Sequence, residues 1–140
     1  MTVEFDTSRR PKYREWAAKI IGIDNFRPDA VTITALKDGK IAAVTVFDTF
    51  SGNDCQVHVA SDGSRTWLSR QYLHLAFAYP FLQLKLRRIT SLVSEKNAAS
   101  LNFCQQTGFT QEGRLRKAAE RGEDLILLGM LRDECRWIGL

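Results

Sequence analysis

Residues 87–113, RRITSLVSEKNAASLNFCQQTGFTQEG, decide how the rest of the chain is read. Arg88 to Val93 alternates and carries Ile89, Thr90, Leu92 and Val93, so it predicts a strand buried on at least one face. Asn97 is a good N-cap, and from Ala98 to Gln106 the apolar Ala98, Leu101, Phe103 and Cys104 fall at helical spacing. Gly108 supplies the helix stop, and a second strand opens at Phe109. Strand, short helix, strand is the local order.

Downstream, Arg114 to Arg121 is basic, Gly122-Glu123-Asp124 makes a break, and Leu125 to Leu131 predicts the last strand. Arg132 to Leu140, with Cys135 and Trp137, reads as a short terminal helix or tail. Upstream, Thr2 to Asp6 suggests a short strand, and Pro11 to Ile21 a helix with Trp16, Ala17, Ile20 and Ile21 on its apolar face. Asp38-Gly39 is a hairpin signal between strands at Ala30 to Leu36 and Ile41 to Phe50. After a turn at Ser51 to Asp54, Cys55 to Ala60 predicts a third antiparallel strand. A polar loop, Ser61 to Thr66, then leads into a helix from Trp67 to Tyr79 that Pro80 closes. No repeat, low-complexity tract or linker interrupts residues 1–140, so a single domain is expected.

Composition is that of an ordinary globular protein, 44% hydrophobic and 26% charged. The formal charge of +4 suits an anionic ligand but is too small to carry nucleic-acid binding without a motif. Cys55, Cys104 and Cys135 have no disulfide or metal spacing, so no metal is expected and reduced thiols in a cytoplasmic protein are the plain reading. The N-terminal segment is too charged for a signal peptide, and no apolar run is long enough to cross a bilayer.

The central stretch resembles the GNAT superfamily of acetyl-CoA-dependent N-acetyltransferases. Asn97, Ser100, Leu101, Gly108, Phe109, Glu112 and Gly113 match its Asn-x-x-[Ala/Ser]-[Ile/Leu], Gly-Phe and Glu-Gly positions. The resemblance implies an α/β (α+β) fold with a mixed, mostly antiparallel sheet of about six to seven strands and helices on both faces. It also implies acetyl-CoA as co-substrate, a primary amine as acceptor, and direct attack by that amine. Two parallel strands that splay apart would leave a backbone donor for the thioester carbonyl at or near Val59 to Ala60.

The pyrophosphate in that family sits where a polar loop delivers a helix N-terminus. Taken alone, Asp62-Gly63-Ser64 reads as a cap on a core helix; the resemblance instead implies phosphate contact at Gly63, Ser64, Arg65 and Thr66, with Arg70 or Arg65 replacing contact at a loop whose two small residues have become Leu68 and Arg70. Asn97 would contact the cofactor or simply cap its helix, and Ser100 faces the same side one turn on. Cys104 stands where many relatives carry a Tyr acting as general acid, though a buried Cys serves equally as packing. For the general base the candidates are His58, Glu95, Glu112 and Asp48; an imidazole suits the proton transfer, though a lone strand histidine such as His58 serves equally as a satisfied structural residue. His74 is expected at the surface.

Two functions compete: an N-acetyltransferase, with a protein N-terminus, lysine or small molecule as acceptor, and a catalytically degenerate GNAT-fold binding or assembly module. The substitutions at Leu68, Arg70 and Cys104 are what the second anticipates. Trp137, read as an exposed aromatic, suggests a homodimer contact.

Overall fold

The computed structural model describes residues 2–139 of the chain. The first half contains β1 (Val3–Asp6), α1 (Pro11–Ile21), β2 (Val31–Lys37), β3 (Lys40–Asp48) and β4 (Gln56–Ser61). The second contains α2 (Arg70–Ala78), β5 (Arg88–Ser94), α3 (Ala98–Thr107), β6 (Thr110–Leu115) and β7 (Leu125–Leu131). The strands form one sheet in the order β1-β2-β3-β4-β5-β7-β6, antiparallel at every seam except β4–β5. Among the described residues no helix is long and apolar enough to cross a membrane.

Local chemistry sets most boundaries. Asp38 and Gly39 both have positive φ, 51° and 81°, as a two-residue hairpin turn matched to strand twist requires. Asn97 caps α3 by accepting the Ser100 N–H at 3.1 Å, and Gly108 ends it in the left-handed region at φ 114°.

The helix after β4 differs from expectation at both ends. It starts at Arg70 rather than Trp67, because the Ser69 hydroxyl caps it by accepting the Tyr72 N–H at 3.1 Å. Trp67 lies ahead of the helix, buried, with its indole N–H donating to the Ser64 carbonyl at 2.7 Å. Nor does Pro80 close it. The coil widens into one π turn over Tyr79–Gln83, closed by the Leu84 N–H on the Tyr79 carbonyl at 3.0 Å. Proline has no N–H to give and crowds the carbonyl four residues back, and a wider turn relieves both problems.

The sheet has two covered faces. On one, Tyr13, Ala17 and Ala18 of α1 pack on Val44, Val46 and Ala60. On the other, α2, α3 and the C-terminal segment bury a larger cluster that includes Phe47, Tyr72, Phe77, Cys104 and Met130. Trp137 belongs to this second layer, which corrects its reading as an exposed contact. Its indole N–H donates to the Thr107 carbonyl at 2.8 Å, capping the end of α3.

Tyr72 ties α2 to the sheet. Its ring is almost wholly buried, and its hydroxyl lies 2.7 Å from Thr45 Oγ1 and donates to the Ile33 carbonyl at 2.9 Å. Desolvation pushes its phenol above the usual range. Tyr72→Phe leaves two buried groups without this partner and should cost ~1–2 kcal/mol. Urea denaturation checks this as a lower midpoint at unchanged slope.

Candidate active site

The β4–β5 seam is where the sheet opens. Its register contains one backbone pair, Gln56 with Thr90, and the Thr90 N–H donates to the Cys55 carbonyl at 2.9 Å. One residue further on, the Ser91 hydroxyl rather than a backbone amide reaches the Val57 carbonyl, at 3.0 Å. Beyond that point the strands part. The Asp62 N–H donates to the Ala42 carbonyl at 2.9 Å, which fixes the alternation along β4. Ala60 and His58 turn their backbone groups to β3, whereas Val57 and Val59 turn theirs to the opening. Of the two expected backbone donors, Val59 N–H points into the gap and Ala60 N–H belongs to the β3 ladder.

A cleft of about 670 Å³ passes through this opening. It runs from Ile20 and Ile21 at the end of α1, past His58 and Val59, to Asn97, Ser100 and Cys104 on the α3 side. Both expected catalytic side chains, His58 and Cys104, therefore line one cavity, reached from opposite faces of the sheet.

His58 has a specific partner. Its Nε2 lies 2.9 Å from Asp48 Oδ1, and the two side chains are only 19% and 11% exposed. Phe26 packs against the imidazole with ring centroids 5.2 Å apart. The other candidate bases are engaged elsewhere. Glu112 pairs with Arg88 at 2.9 Å, and Glu95 accepts the Asp124 N–H at 2.6 Å and meets Arg114 at 3.4 Å. His74 is exposed as expected, with Nδ1 2.9 Å from the Trp137 carbonyl.

Cys104 is buried, and desolvation pushes its thiol up to about 11 against a small opposing effect of the Ser91 hydroxyl. That weakens the acid role suggested by its position, since such a thiol holds its proton more tightly than an ordinary thiol, near 8.5. Asn97 and Ser100 line the cleft together. The Asn97 side-chain oxygen is used in capping, and its Nδ2 has no partner among the described residues.

The loop expected to hold phosphate satisfies part of its own hydrogen bonding. Gly63 N–H donates to Ser61 Oγ at 2.9 Å, and Ser64 donates to Asp62 Oδ1 from its N–H at 2.8 Å and its hydroxyl at 2.6 Å. The Ser64 hydroxyl leads the effects that hold Asp62 below the usual carboxylate range. Two of the amides meant for an anion are thus used inside the loop, beside a carboxylate. Arg65, Thr66 and Arg70 are exposed and do not line the cleft. The unused donors are the first amides of α2, at Arg70 and Gln71, with the guanidinium groups of Arg65 and Arg70.

Sequence reasoning missed two contributors. Ser91 was only a strand residue, and nothing in its neighbours signals a strand-to-strand bridge. The connection between β6 and β7 stands out in the sequence only as a basic run, yet its Ala118 to Arg121 segment walls the cleft. It is pinned there by Asp124, which accepts the Lys117 N–H at 2.9 Å and meets Arg114 at 2.8 Å. The acidic pair after Gly122 was the available signal.

The fold is that of the GNAT acetyltransferases. In particular, the chain is similar to the ribosomal-protein-S5-alanine acetyltransferase of Vibrio fischeri, with a TM-score of 0.67 and 19% identity over 76% of this chain. It spans 64% of that relative's length. It is also similar to Ard1 from Thermoplasma volcanium, with a TM-score of 0.74 and 11% identity over 94% of this chain and 98% of the other. The spermidine/spermine N-acetyltransferase SpeG of Vibrio cholerae gives a TM-score of 0.73 and 11% identity, over 94% and 96% of the two chains. No protein-family model and no curated protein matches the sequence.

Burial makes the thiols testable. Desolvation pushes Cys55 up to about 12 and raises Cys135 as well. Folded protein at pH 8 should react with a thiol reagent far more slowly than denatured protein, in which all three cysteines become accessible. Because the folded thiols keep protons that the unfolded chain releases, their contribution to stability is present below the ordinary thiol value, near 8.5, and lost as pH rises toward about 12.

Proposed function

We propose that this protein transfers an acetyl group from acetyl-CoA to a primary amine, with the cofactor arm entering from the α2–α3 side and the amine from the α1 side. The observation that carries this reading is the opening between β4 and β5, with the Val59 N–H turned into it and His58 at its rim. An amide with no strand partner, aimed into a cavity, fits a thioester carbonyl. Bound acetyl-CoA would supply an activated acyl carbon, which the amine attacks as the carbon–sulfur bond breaks and CoA leaves as a thiolate that takes its proton from solvent.

The chain's own residues have separate tasks. Val59 N–H orients and polarises the carbonyl oxygen. Asn97 and Ser100 flank the arm through side-chain polar atoms on α3. The first amides of α2, with Arg70 and Arg65, hold the pyrophosphate at the surface through the helix dipole and charge. His58 takes the proton lost by the amine nitrogen. Its wall of Ile20, Ile21 and Ile23 favours an amine carried on a partly apolar body, such as a peptide N-terminus or lysine side chain. A reducing cytoplasmic setting agrees with three unpaired, buried thiols.

A second reading, a GNAT-fold binding module without catalysis, draws on one observation. Asp62 and the loop's internal hydrogen bonds occupy part of the phosphate position. Thermal unfolding with acetyl-CoA separates the two. A cofactor at ~100 times its Kd should stabilise the fold by about 2.7 kcal/mol, and no shift at millimolar acetyl-CoA would sink the acetyltransferase reading.

Turnover supplies the second check. With spermidine, an alanine-initiated peptide and a lysine peptide as acceptors, His58→Ala should lower kcat on the order of 10²-fold. Cys104→Ala should leave it within about threefold, because burial has made that thiol a poor acid.

A further inference from the structure

Asp48 is a buried carboxylate at the end of β3, on the same sheet face as His58 and one residue pair away diagonally. Thr49 follows it in the left-handed region at φ 53°, ending the strand, and the Thr49 hydroxyl donates to Asp48 Oδ1 at 3.3 Å. That hydroxyl and His58 Nε2 are its side-chain partners among the described residues. Resting on the acetyltransferase reading above, we propose that Asp48 is a positioning residue. It holds neutral His58 in the tautomer protonated at Nε2, so that the lone pair that accepts the amine proton lies on Nδ1.

The inference follows from donor and acceptor roles. An ionised carboxylate can only accept, so the 2.9 Å contact requires the proton on Nε2. In the neutral ring the basic nitrogen is then Nδ1, which has no partner among the described residues. Phe26 against the ring face and the Asp48 contact together restrict rotation of the imidazole. Removing a proton from the amine makes the ring cationic, and a buried carboxylate 2.9 Å away stabilises that cation where water is scarce. The proton goes from the amine nitrogen to Nδ1, and Asp48 stays ionised throughout. Lys19, Lys96, Glu120, Arg121 and Glu123 line the same cleft, and none of them hydrogen-bonds the ring.

Long-range proton–nitrogen correlation spectra read ring tautomers directly, without any ligand. The chain has two histidines, so one His74→Gln variant assigns both rings. At about pH 8 the wild-type His58 ring should show a protonated Nε2 and an unprotonated Nδ1. Asp48→Leu keeps roughly the size of the side chain but removes the acceptor for Nε2–H, so the ring should lose its preference for the Nε2–H form. Acetylation of the alanine peptide or spermidine should then fall on the order of 10²-fold in kcat, with KM for acetyl-CoA within about twofold. Asp48→Glu restores a carboxylate and should recover the Nε2–H form.

A wild-type His58 protonated at Nδ1, or an Asp48→Leu variant that keeps the Nε2–H form as firmly as wild type, would overturn the proposal. So would a tautomer that switches while kcat is unchanged. The expected tautomers in a protein that does not bind acetyl-CoA would instead overturn the acetyltransferase reading and leave Asp48's hold on the ring established.

Discussion

A parallel seam with a single backbone pair would not hold two strands together unaided, and the rest of this fold exists around that weakness. On one side β4 is bound to β3 by six register pairs, and on the other β5 is bound to β7 by seven. The sheet is therefore two antiparallel halves that meet at one point. A clamp secures that point. The Arg87 and Arg88 N–H groups both donate to the Asn53 carbonyl at 3.1 Å, and the Thr90 hydroxyl contacts both Asp54 carboxylate oxygens at 3.0 and 2.9 Å. The Arg88 side chain extends the clamp, reaching Asp54 at 3.7 Å and Glu112 of β6 at 2.9 Å. To do so it crosses β7 at Gly129, where a Cβ would lie 2.5 Å from both the guanidinium and the carboxylate. Exposed ion pairs contribute little alone, but this one closes a chain of contacts across the vertex from the loop before β4 to the edge strand β6.

Above the clamp, divergence has a consequence for hydrogen bonding. Val57 and Val59 must turn their in-plane groups away from β3, and no neighbouring strand is there to receive those of Val59. Ser91 meets the nearer carbonyl with its hydroxyl, so the ladder ends without a buried carbonyl left unpaired. What remains open is an amide facing a cavity, which is why the same backbone irregularity both shapes the cleft and gives it a donor.

Much of this was legible in the sequence, for identifiable reasons. The ends of α1 and α3 are set by Pro11, Gly22, Asn97 and Gly108, whose effects are local, and the Asp38-Gly39 turn is equally self-contained. The α2 boundary was missed because the tertiary burial of Trp67 and the Ser69 cap outweigh the apolar run. Pro80 misled because a π turn can absorb a proline that an α-helix cannot. His58 could be singled out by residue type and strand position, but its pairing with Asp48 depends on strand register, which the spacing of ten residues does not encode. The loop at Gly63 shows the reverse error. Its composition suits an anion, yet Asp62 and Ser61 take the amides first, a competition that short polar side chains commonly win.

The two faces of the sheet are chemically unequal, and that inequality bears on how two substrates would share one cleft. On the α2–α3 side the walls are closely packed. Phe77, Cys104 and Phe109 are buried there, and Trp137 and Gly108 fix the end of α3. On the α1 side the lip carries Ile20 and Ile21 at 48% and 37% exposure, with the β6–β7 connection opposite. A shape that must fit one constant molecule belongs on the packed side, and a shape that meets an acceptor belongs where apolar surface is still accessible. An acyl donor and an amine arriving from opposite faces, as proposed above, would not displace each other. They would meet beside Val59 N–H and His58, so the transfer proposed above would need no covalent stage on the protein, and a buried, firmly protonated Cys104 would be no obstacle to it.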